Sequence, residues 1–426
     1  MSAPTQDPSS TQVSQFDLET LPGQGGVGEA AGAYWERIKG GDLGALPAMF
    51  GVVALVIVFG IMEPDSFLTE QNFANLLNQG AAIMVLAMGL VFVLLLGEID
   101  LSAGFTAGTG AAILGVTLTN HNWAWPLAVG AALLTGVAIG FAIALLVARL
   151  GIPSFVVSLA FFLGLQGAML LIIGEGGTIP IRNDAILSVM NKNMPVALGW
   201  LLALIVIGGF AASSFWAIRT RKNAGLPVPA MSVWAAKVGA LAVVVLAFVF
   251  LLNQERQRPN APITIQGVPW VVPLVIVLVV VLTFLLMRTS FGRHVYAVGG
   301  NAEAARRAGI NVPNIKTICF ILGSTLAIVA GILLASRDNS VSPTTGGAQT
   351  LLYAVGAAVI GGTSLFGGRG RIVDAVTGGL VVAIIANGLP LVTQKSGVQF
   401  IINGLVLLLA ASVDAISRRR AAATGR

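Results

Sequence analysis

Two carboxylates, Glu98 and Asp100, stand two residues apart in the stretch VLLLGEIDLSAG, which is otherwise almost entirely apolar. An ionised carboxylate is costly to bury unless it is paired, hydrogen bonded or solvated. Carboxylates are strong acceptors for hydroxyl groups, so this pair could shape a polar gap for a hydroxyl-rich solute. The local alternative is a tight turn at the inner face, in which Asp100 caps the span that starts at Leu101. The two roles are compatible, because helix ends beside a membrane pathway often form polar sites.

A second polar break occurs at GGTSLFGGRGR, which runs from Gly361 to Arg371. Like GEIDLSAG, it follows an apolar run, interrupts that run with glycine and leads into another apolar run. This likeness suggests a diverged internal repeat. The alternative is that the glycines only permit close packing and a turn. Arg371 and Asp374 are spaced to pair on one helix face.

Four further polar residues are candidates to line a pathway, although hydrogen bonding between helices explains such residues more often. They are Ser102, Thr363, Ser364 and Asn387.

Other kinds of chemistry find no support in the sequence. Cys319 is the single cysteine, and the two histidines, His121 and His294, are far apart. We therefore predict no metal site, no cofactor and no catalytic residue. A phosphate-binding G-x-x-x-x-G-K-[ST] loop is also absent from the sequence, so any ATP hydrolysis must take place in a separate chain.

The composition is that of a polytopic membrane protein. Of the 426 residues, 56% are hydrophobic and 10% are charged, whereas soluble proteins are about 45–50% apolar and about 25% charged. The 52 glycines predict closely packed helices, because membrane helices associate through small residues. The region 80–118 could be two spans or a broken helix with a re-entrant piece. We predict an all-α bundle of about twelve spans, near 43–62, 80–97, 101–118, 124–148, 154–174, 196–218, 233–252, 269–287, 315–335, 350–366, 372–391 and 398–416.

Basic residues orient these spans. With the N-terminus placed in the cytoplasm, 18 of the 24 Lys and Arg residues fall on inner segments, as the positive-inside rule requires. We predict a disordered cytoplasmic tail at 1–42, a transmembrane domain at 43–417 and a basic cytoplasmic tail at 418–426. The net charge of +6 follows from this asymmetry, so no nucleic-acid partner is expected.

Two stretches outside the spans are predicted to be helices that do not cross. TEQNFANLLNQG, from Thr69 to Gly80, has a cap-like Thr and a closing Gly, and we expect it along the outer surface. A second short helix, over about 301–309, has its own capping signals and faces the cytoplasm. A rigid helix in that place is typical of a mechanical contact, and the alternative is that its arginines only obey the positive-inside rule. Its candidate contact residues are Asn301, Glu303, Ala304, Ala305, Arg306, Arg307 and Gly309.

Three motifs, GEIDLSAG, FGRHVYAVGGNAEAARRAGI and AVIGGTSLFGGRGR, together resemble the sugar ABC-importer permeases that serve ribose, galactose and xylose. The resemblance extends over 65–416. It implies a multi-pass permease of the bacterial inner membrane that works as a pair of copies. It also implies a cytoplasmic ABC ATPase and an extracytoplasmic sugar-binding protein as partners. The extra length, which includes AIRTRKNAGLPVPAMSVWAAK, resembles the xylose branch.

The leading hypothesis is therefore a permease subunit that moves a monosaccharide, xylose or a similar pentose, by alternating access. In it, the helix at 301–309 couples to the ATPase. A permease for branched-chain amino acids or nucleosides is one alternative. An ion-coupled secondary transporter, with Glu98 and Asp100 as coupling carboxylates, is another.

Overall fold

The computed structural model describes residues 46–226, 228–256 and 264–406, together with positions 28, 32, 408 and 412. Apart from 28 and 32, the predicted tails at 1–42 and 418–426 lie outside these residues. The described chain is almost entirely helical, with one antiparallel pair of two-residue strands, β1 (Ile179–Pro180) and β2 (Ser340–Val341). Its helices are α1 (Leu46–Met62), α2 (Pro64–Phe67), α3 (Glu70–Leu95), α4 (Ala103–Gly115), α5 (Trp125–Ala144), α6 (Ser154–Ile173), α7 (Asp184–Asn191), α8 (Val196–Asn223), α9 (Met231–Leu252), α10 (Val271–Arg288), α11 (Ser290–Gly300), α12 (Ala302–Arg307), α13 (Val312–Asp338), α14 (Gly347–Gly361), α15 (Ile372–Val392) and α16 (Ser396–Val406).

Eight of the described helices are long and apolar enough to cross a membrane, namely α3, α5 with its π-helical end, α6, α8, α9, α10, α13 and α15. Helices α1, α14 and α16 are shorter and also apolar. The predicted all-α, multi-pass fold class is confirmed. A described helix lies at each of the predicted spans, while twelve as the number of membrane crossings stays a prediction.

Helices α3 and α13 form the centre of the larger of two compact units, which comprises 43–199 and 249–426. A Cβ added at Gly89 of α3 would lie 2.9 Å from the carbonyl oxygen of Gly323 in α13. Helix α5 approaches α13 in the same way, since a Cβ at Gly140 would lie 2.6 Å from the Phe320 carbonyl oxygen. Small residues let these backbones touch, as the glycine content predicted.

The connection that follows β2 runs back into the bundle beside α4. Its glycine neighbours on α4 come in reverse order, as expected for an antiparallel course: Val341 with Gly115, Thr345 with Gly108, and Gly347 with Gly104. Helix α14 therefore begins beside the start of α4, well inside the bundle. The turn into α14 uses Gly346, whose φ of +76° favours glycine.

The region 80–118 consists of two helices, α3 and α4, separated by a non-helical loop at 96–102. Helix α4 continues without a break into a π-helical segment, Val116–Asn120, so the helical stretch after this loop has 18 residues, close to the length that a span needs. Two spans, or a broken helix with a re-entrant piece, both stay predictions for this region.

The prediction of a separate surface helix from Thr69 to Gly80 is wrong. Thr69 does cap a helix, because its hydroxyl oxygen accepts the Asn72 N–H at 3.2 Å. That helix is α3, which continues through Gly80 to Leu95. A Cβ at Gly80 would lie 2.9 Å from the Cβ of Ala383 in α15. Glycine is thus needed for close helix packing and does not mark a helix end.

The second unit includes 200–248, which forms a hairpin from parts of α8 and α9. Within it, the Trp234 indole N–H donates to the Ser214 hydroxyl at 2.9 Å. The rings of Trp234 and Phe215 meet edge to face, with 5.8 Å between centroids. These contacts join the two arms of the hairpin.

Candidate functional site

Glu98 is paired with a lysine from a distant part of the chain. The Lys316 ammonium, near the start of α13, forms an ion pair with the Glu98 carboxylate. The Glu98 and Lys316 side chains are only 16% and 21% exposed, so each charge depends on the other for solvation. The pair ties the loop after α3 to α13. The sequence reasoning missed this partner, and its only local signal was a lone lysine just inside an apolar helix.

Asp100 is buried and organises the start of α4. One carboxylate oxygen accepts the Ser102 N–H at 2.9 Å and the Ser102 hydroxyl at 2.5 Å. The helix begins at Ala103 with Ser102 as its N-cap residue, so the predicted start at Leu101 is wrong. Asp100 is therefore not the N-cap residue of α4. It holds Ser102, which is the N-cap residue, in place.

The loop that carries these carboxylates is also fixed to α6. The Ile99 N–H donates to the Ser154 hydroxyl, and the Ile99 carbonyl accepts the Ser158 hydroxyl, both at 3.2 Å. Both serines lie in the first turns of α6. The loop is therefore held by three elements, α4, α6 and α13.

The second polar break, at 362–371, lies against the end of α3. The Gly368 N–H donates to the Leu95 carbonyl at 2.9 Å. The Tyr296 hydroxyl of α11 donates to the Gly370 carbonyl at 2.6 Å. The two motifs that the sequence compared with each other are thus in contact at one end of the bundle.

Thr363 and Ser364 lie in this second loop and have different environments. The Ser364 hydroxyl oxygen accepts the Phe366 N–H at 3.2 Å, which stabilises the turn. The buried Thr363 hydroxyl has no hydrogen-bond partner within the described chain. The predicted pair of Arg371 and Asp374 is present, with 3.2 Å between the guanidinium and the carboxylate. The Asp374 carboxylate also accepts the Arg371 N–H at 2.7 Å and so caps α15.

Asn387 lies far from the other predicted pathway residues. Its side-chain amide and that of Asn72 donate to each other, both at 2.9 Å. Asn72 is in the first turn of α3, whereas Glu98 follows the end of this 26-residue helix, a separation of about 39 Å along the axis. The six predicted pathway residues therefore do not form one site. Five belong to the paired loops, and Asn387 belongs to the opposite end.

The short helix predicted at 301–309 is present as α12, Ala302–Arg307. The Asn301 side-chain oxygen accepts the Ala304 N–H at 2.9 Å, as an N-cap should. Gly309 follows the helix with a φ of +86°, which suits a residue just after a helix end. The predicted capping pattern is confirmed.

The charged residues of α12 are exposed and paired with one another. Glu303 accepts from Arg306 at 2.7 Å and from Arg307 at 3.1 Å. These hydrogen bonds, that of Arg306 first, lower the pKa of the Glu303 carboxyl. Ala305 is buried against the core, whereas Ala304 is exposed. Helix α12 is thus anchored through Ala305 and presents a charged face outward.

A polar group on α14 and α16 was not predicted. The Tyr353 hydroxyl oxygen accepts from the side-chain amides of Gln349 and Asn403, both at 2.9 Å. The available signal was the spacing of Gln349 and Tyr353, which places them on one face of a helix.

A family model and several known proteins match this chain over most of its length. The family model described as the permease component of the branched-chain amino acid transport system matches residues 72–411. The xylose transport system permease protein XylH of Escherichia coli strain K12 is 33% identical over 384 residues, which cover 90% of this chain and 94% of XylH. XylH of Haemophilus influenzae is 32% identical over 396 residues, covering 90% of this chain and 99% of that protein.

The ribose import permease protein RbsC of Escherichia coli strain K12 is 30% identical over 371 residues, covering 86% of this chain and 92% of RbsC. No solved structure matches the chain. These relatives are permease proteins of transport systems, and the family match spans most of the chain. The predicted resemblance to the permeases of sugar ABC importers is thereby confirmed, and the chain belongs to this permease family as a membrane-spanning transport component.

Proposed function

We propose that the chain moves xylose or a similar pentose across the bacterial inner membrane by alternating access. The similarity to xylose permeases of two organisms, which covers nearly the whole length of each, carries this proposal. In it, two copies of the chain form the membrane part of the importer. Each copy crosses the membrane twelve times and keeps both termini in the cytoplasm. An extracytoplasmic binding protein delivers the sugar, and a cytoplasmic ABC ATPase supplies the energy.

Helix α12 is proposed as the contact with the ATPase. It is exposed, capped at both ends and anchored by one buried residue, Ala305. Small side chains such as Ala304 let a helix seat in a groove, and flanking charges set its register. Glu303, Arg306 and Arg307 supply these charges.

Contacts next to α12 connect it to the end of α3 and to the second polar loop. Gly299, in the last turn of α11, lies against the Leu95 carbonyl, where a side chain would clash. Leu95 is also bonded to Gly368 in the second loop. A displacement of α12 would therefore act on both polar loops together. In this proposal Glu98, Asp100, Ser102, Thr363 and Ser364 serve the inner gate of the pathway.

Reconstitution tests the proposal directly. The chain is placed in proteoliposomes with its ATPase and binding protein, and uptake of labelled xylose, ribose, glucose and leucine is measured with and without ATP. We expect ATP-dependent uptake of a pentose that survives proton and sodium ionophores. Uptake that is independent of ATP and abolished by ionophores would contradict it.

A second candidate substrate class, branched-chain amino acids, is suggested by the description of the matching family model. The same experiment decides between the two. Uptake of leucine without uptake of any sugar would replace the sugar assignment and leave the importer assignment intact.

A further inference from the structure

An exposed polar face lies on the first half of α14. Gln349 and Leu352 are exposed, and Tyr353 is half-buried beside them. The Tyr353 oxygen accepts one hydrogen bond from Gln349 and one from Asn403 of α16. Neither bond uses the phenolic proton, so the hydroxyl keeps a donor for a further partner.

This face lies deep within the membrane part. Tyr353 precedes the last residue of α14, Gly361, by eight positions, or about 12 Å along the helix. Gly361 packs on the first turn of α15, next to the loop at the base of the bundle. At the other end, Gly347 touches Gly104 inside the bundle. Measured along α14, Gln349 and Tyr353 are thus about 12–18 Å from the second polar loop at 362–371, which corresponds to the middle of a hydrocarbon core about 30 Å thick.

An amide and a phenol exposed at that depth cannot face lipid without losing the hydrogen bonds that water would provide. Lys, Arg, Asp and Glu are absent from α14 and from 396–406. The three side chains offer neutral donors and acceptors only. Such a set matches a neutral polyhydroxylated molecule, whose hydroxyls both donate and accept, and leaves the charges of an amino acid without partners.

We propose that Gln349, Tyr353 and Asn403 form a transient contact for the hydroxyl groups of the sugar on its way across the membrane. This inference rests on the proposed function, and it adds the location at which the chain itself touches the sugar. We expect this contact to bind the sugar weakly, because two neutral amides and one phenol offer few hydrogen bonds and no charge. Weak binding allows the sugar to be released quickly.

Cysteine labelling tests whether the polar face of α14 is accessible to water. Cys319 is the single cysteine, so Cys319→Ser gives a background without thiols. In that background Gln349→Cys is expected to react with a charged, membrane-impermeant thiol reagent, and millimolar xylose should slow the reaction several-fold. Val280→Cys is the control, because Val280 is 62% exposed in the middle of the apolar helix α10 and should not react. Absence of reaction at position 349, or reaction that xylose does not slow, would overturn the inference.

Substitution tests whether the hydroxyl acts on the sugar. Tyr353→Phe keeps the ring, and we expect it to lower sugar transported per ATP hydrolysed by about threefold to tenfold while the complex still assembles. Thr135→Val is the control, because within the described residues the Thr135 hydroxyl donates to the Ala131 carbonyl of its own helix and to no other group. Unchanged coupling in Tyr353→Phe, or loss of pairing between copies, would show that this face only packs.

The two levels of the proposal fail in different ways. If the wild-type chain shows no ATP-dependent sugar uptake, the proposed function falls. If the wild type transports sugar and either position-349 labelling or Tyr353→Phe gives a negative result, only the contact site falls.

Discussion

At the scale of single residues, the pairing of Glu98 with Lys316 makes a clear prediction. Glu98→Gln leaves a lysine that is only 21% exposed without its counter-charge, which should cost about 1–3 kcal/mol of folding free energy. We expect a lower thermal midpoint in detergent and reduced uptake. The double variant Glu98→Lys with Lys316→Glu restores opposite charges and should recover part of both losses. If the double variant is no better than Glu98→Gln, loss of the ion pair is not the cause.

Asp100 makes a second residue-scale prediction, because Asn and Leu differ in what they preserve. Asp100→Asn retains a side-chain oxygen that can accept the Ser102 N–H, so we expect folded protein with impaired transport. Asp100→Leu removes the acceptor and leaves a buried donor unpaired, which should destabilise α4 by about 1–3 kcal/mol. Folded yield by size-exclusion chromatography separates the two variants. Normal yield and normal transport in both would remove any role for this carboxylate.

At the scale of elements, the sequence predicts a helix well when its signals are local. Helix α12 was predicted because Asn301 and Gly309 cap it within a few residues. The continuation of α3 through Gly80 was missed because the reason for that glycine is Ala383, three hundred residues away. The loop that contains Glu98 was predicted from its local sequence. Its ion-pair partner Lys316 was not predicted, because it lies 218 residues away in the chain. Contacts between distant segments leave no local pattern to read.

Close helix packing gives an element-scale prediction. Gly331 of α13 lies against the Ala107 carbonyl of α4, where an added methyl group would collide with backbone. Gly331→Ala should therefore lower the thermal midpoint, in keeping with an overpacking cost of about 1–3 kcal/mol. Gly164→Ala, in α6, is the matched control because a methyl group there meets nothing within 4 Å. Equal midpoints for the two variants would contradict this packing.

The exposed charges of α12 give another prediction at this scale. Arg306→Glu with Arg307→Glu reverses the outward face while leaving the buried anchor Ala305 in place. We expect normal insertion but loss of ATPase co-purification, or loss of sugar-stimulated hydrolysis. The companion variant Arg306→Lys with Arg307→Lys keeps the charge and should retain both activities in part. Normal values for the reversed variant would end the assignment of 301–309 as the coupling helix.

At the scale of the whole molecule, the distribution of basic residues predicts how the chain is oriented in the membrane. The excess of basic residues predicts that α12 faces the cytoplasm and that 175–195 faces outward. In a Cys319→Ser background, Ala185→Cys should react with an impermeant reagent in intact cells and Ala304→Cys should not. Both alanines are exposed in short helices, so their intrinsic accessibility is matched. Labelling of position 304 from outside would show that α12 faces outward and that the predicted topology is wrong.

The return of the chain beside α4 has a consequence for how the protein is made. Helix α14, with 15 residues, is about 22 Å long and is too short to enter a bilayer as an independent span. Its partner surface on α4 is synthesised more than two hundred residues earlier and keeps a bare strip of glycine backbone until α14 arrives. The nascent protein must therefore leave this gap open throughout most of its translation. A chain stopped after β2 would contain seven of the eight described long helices, yet it would lack α14 and leave this surface of α4 uncovered at the centre of the bundle.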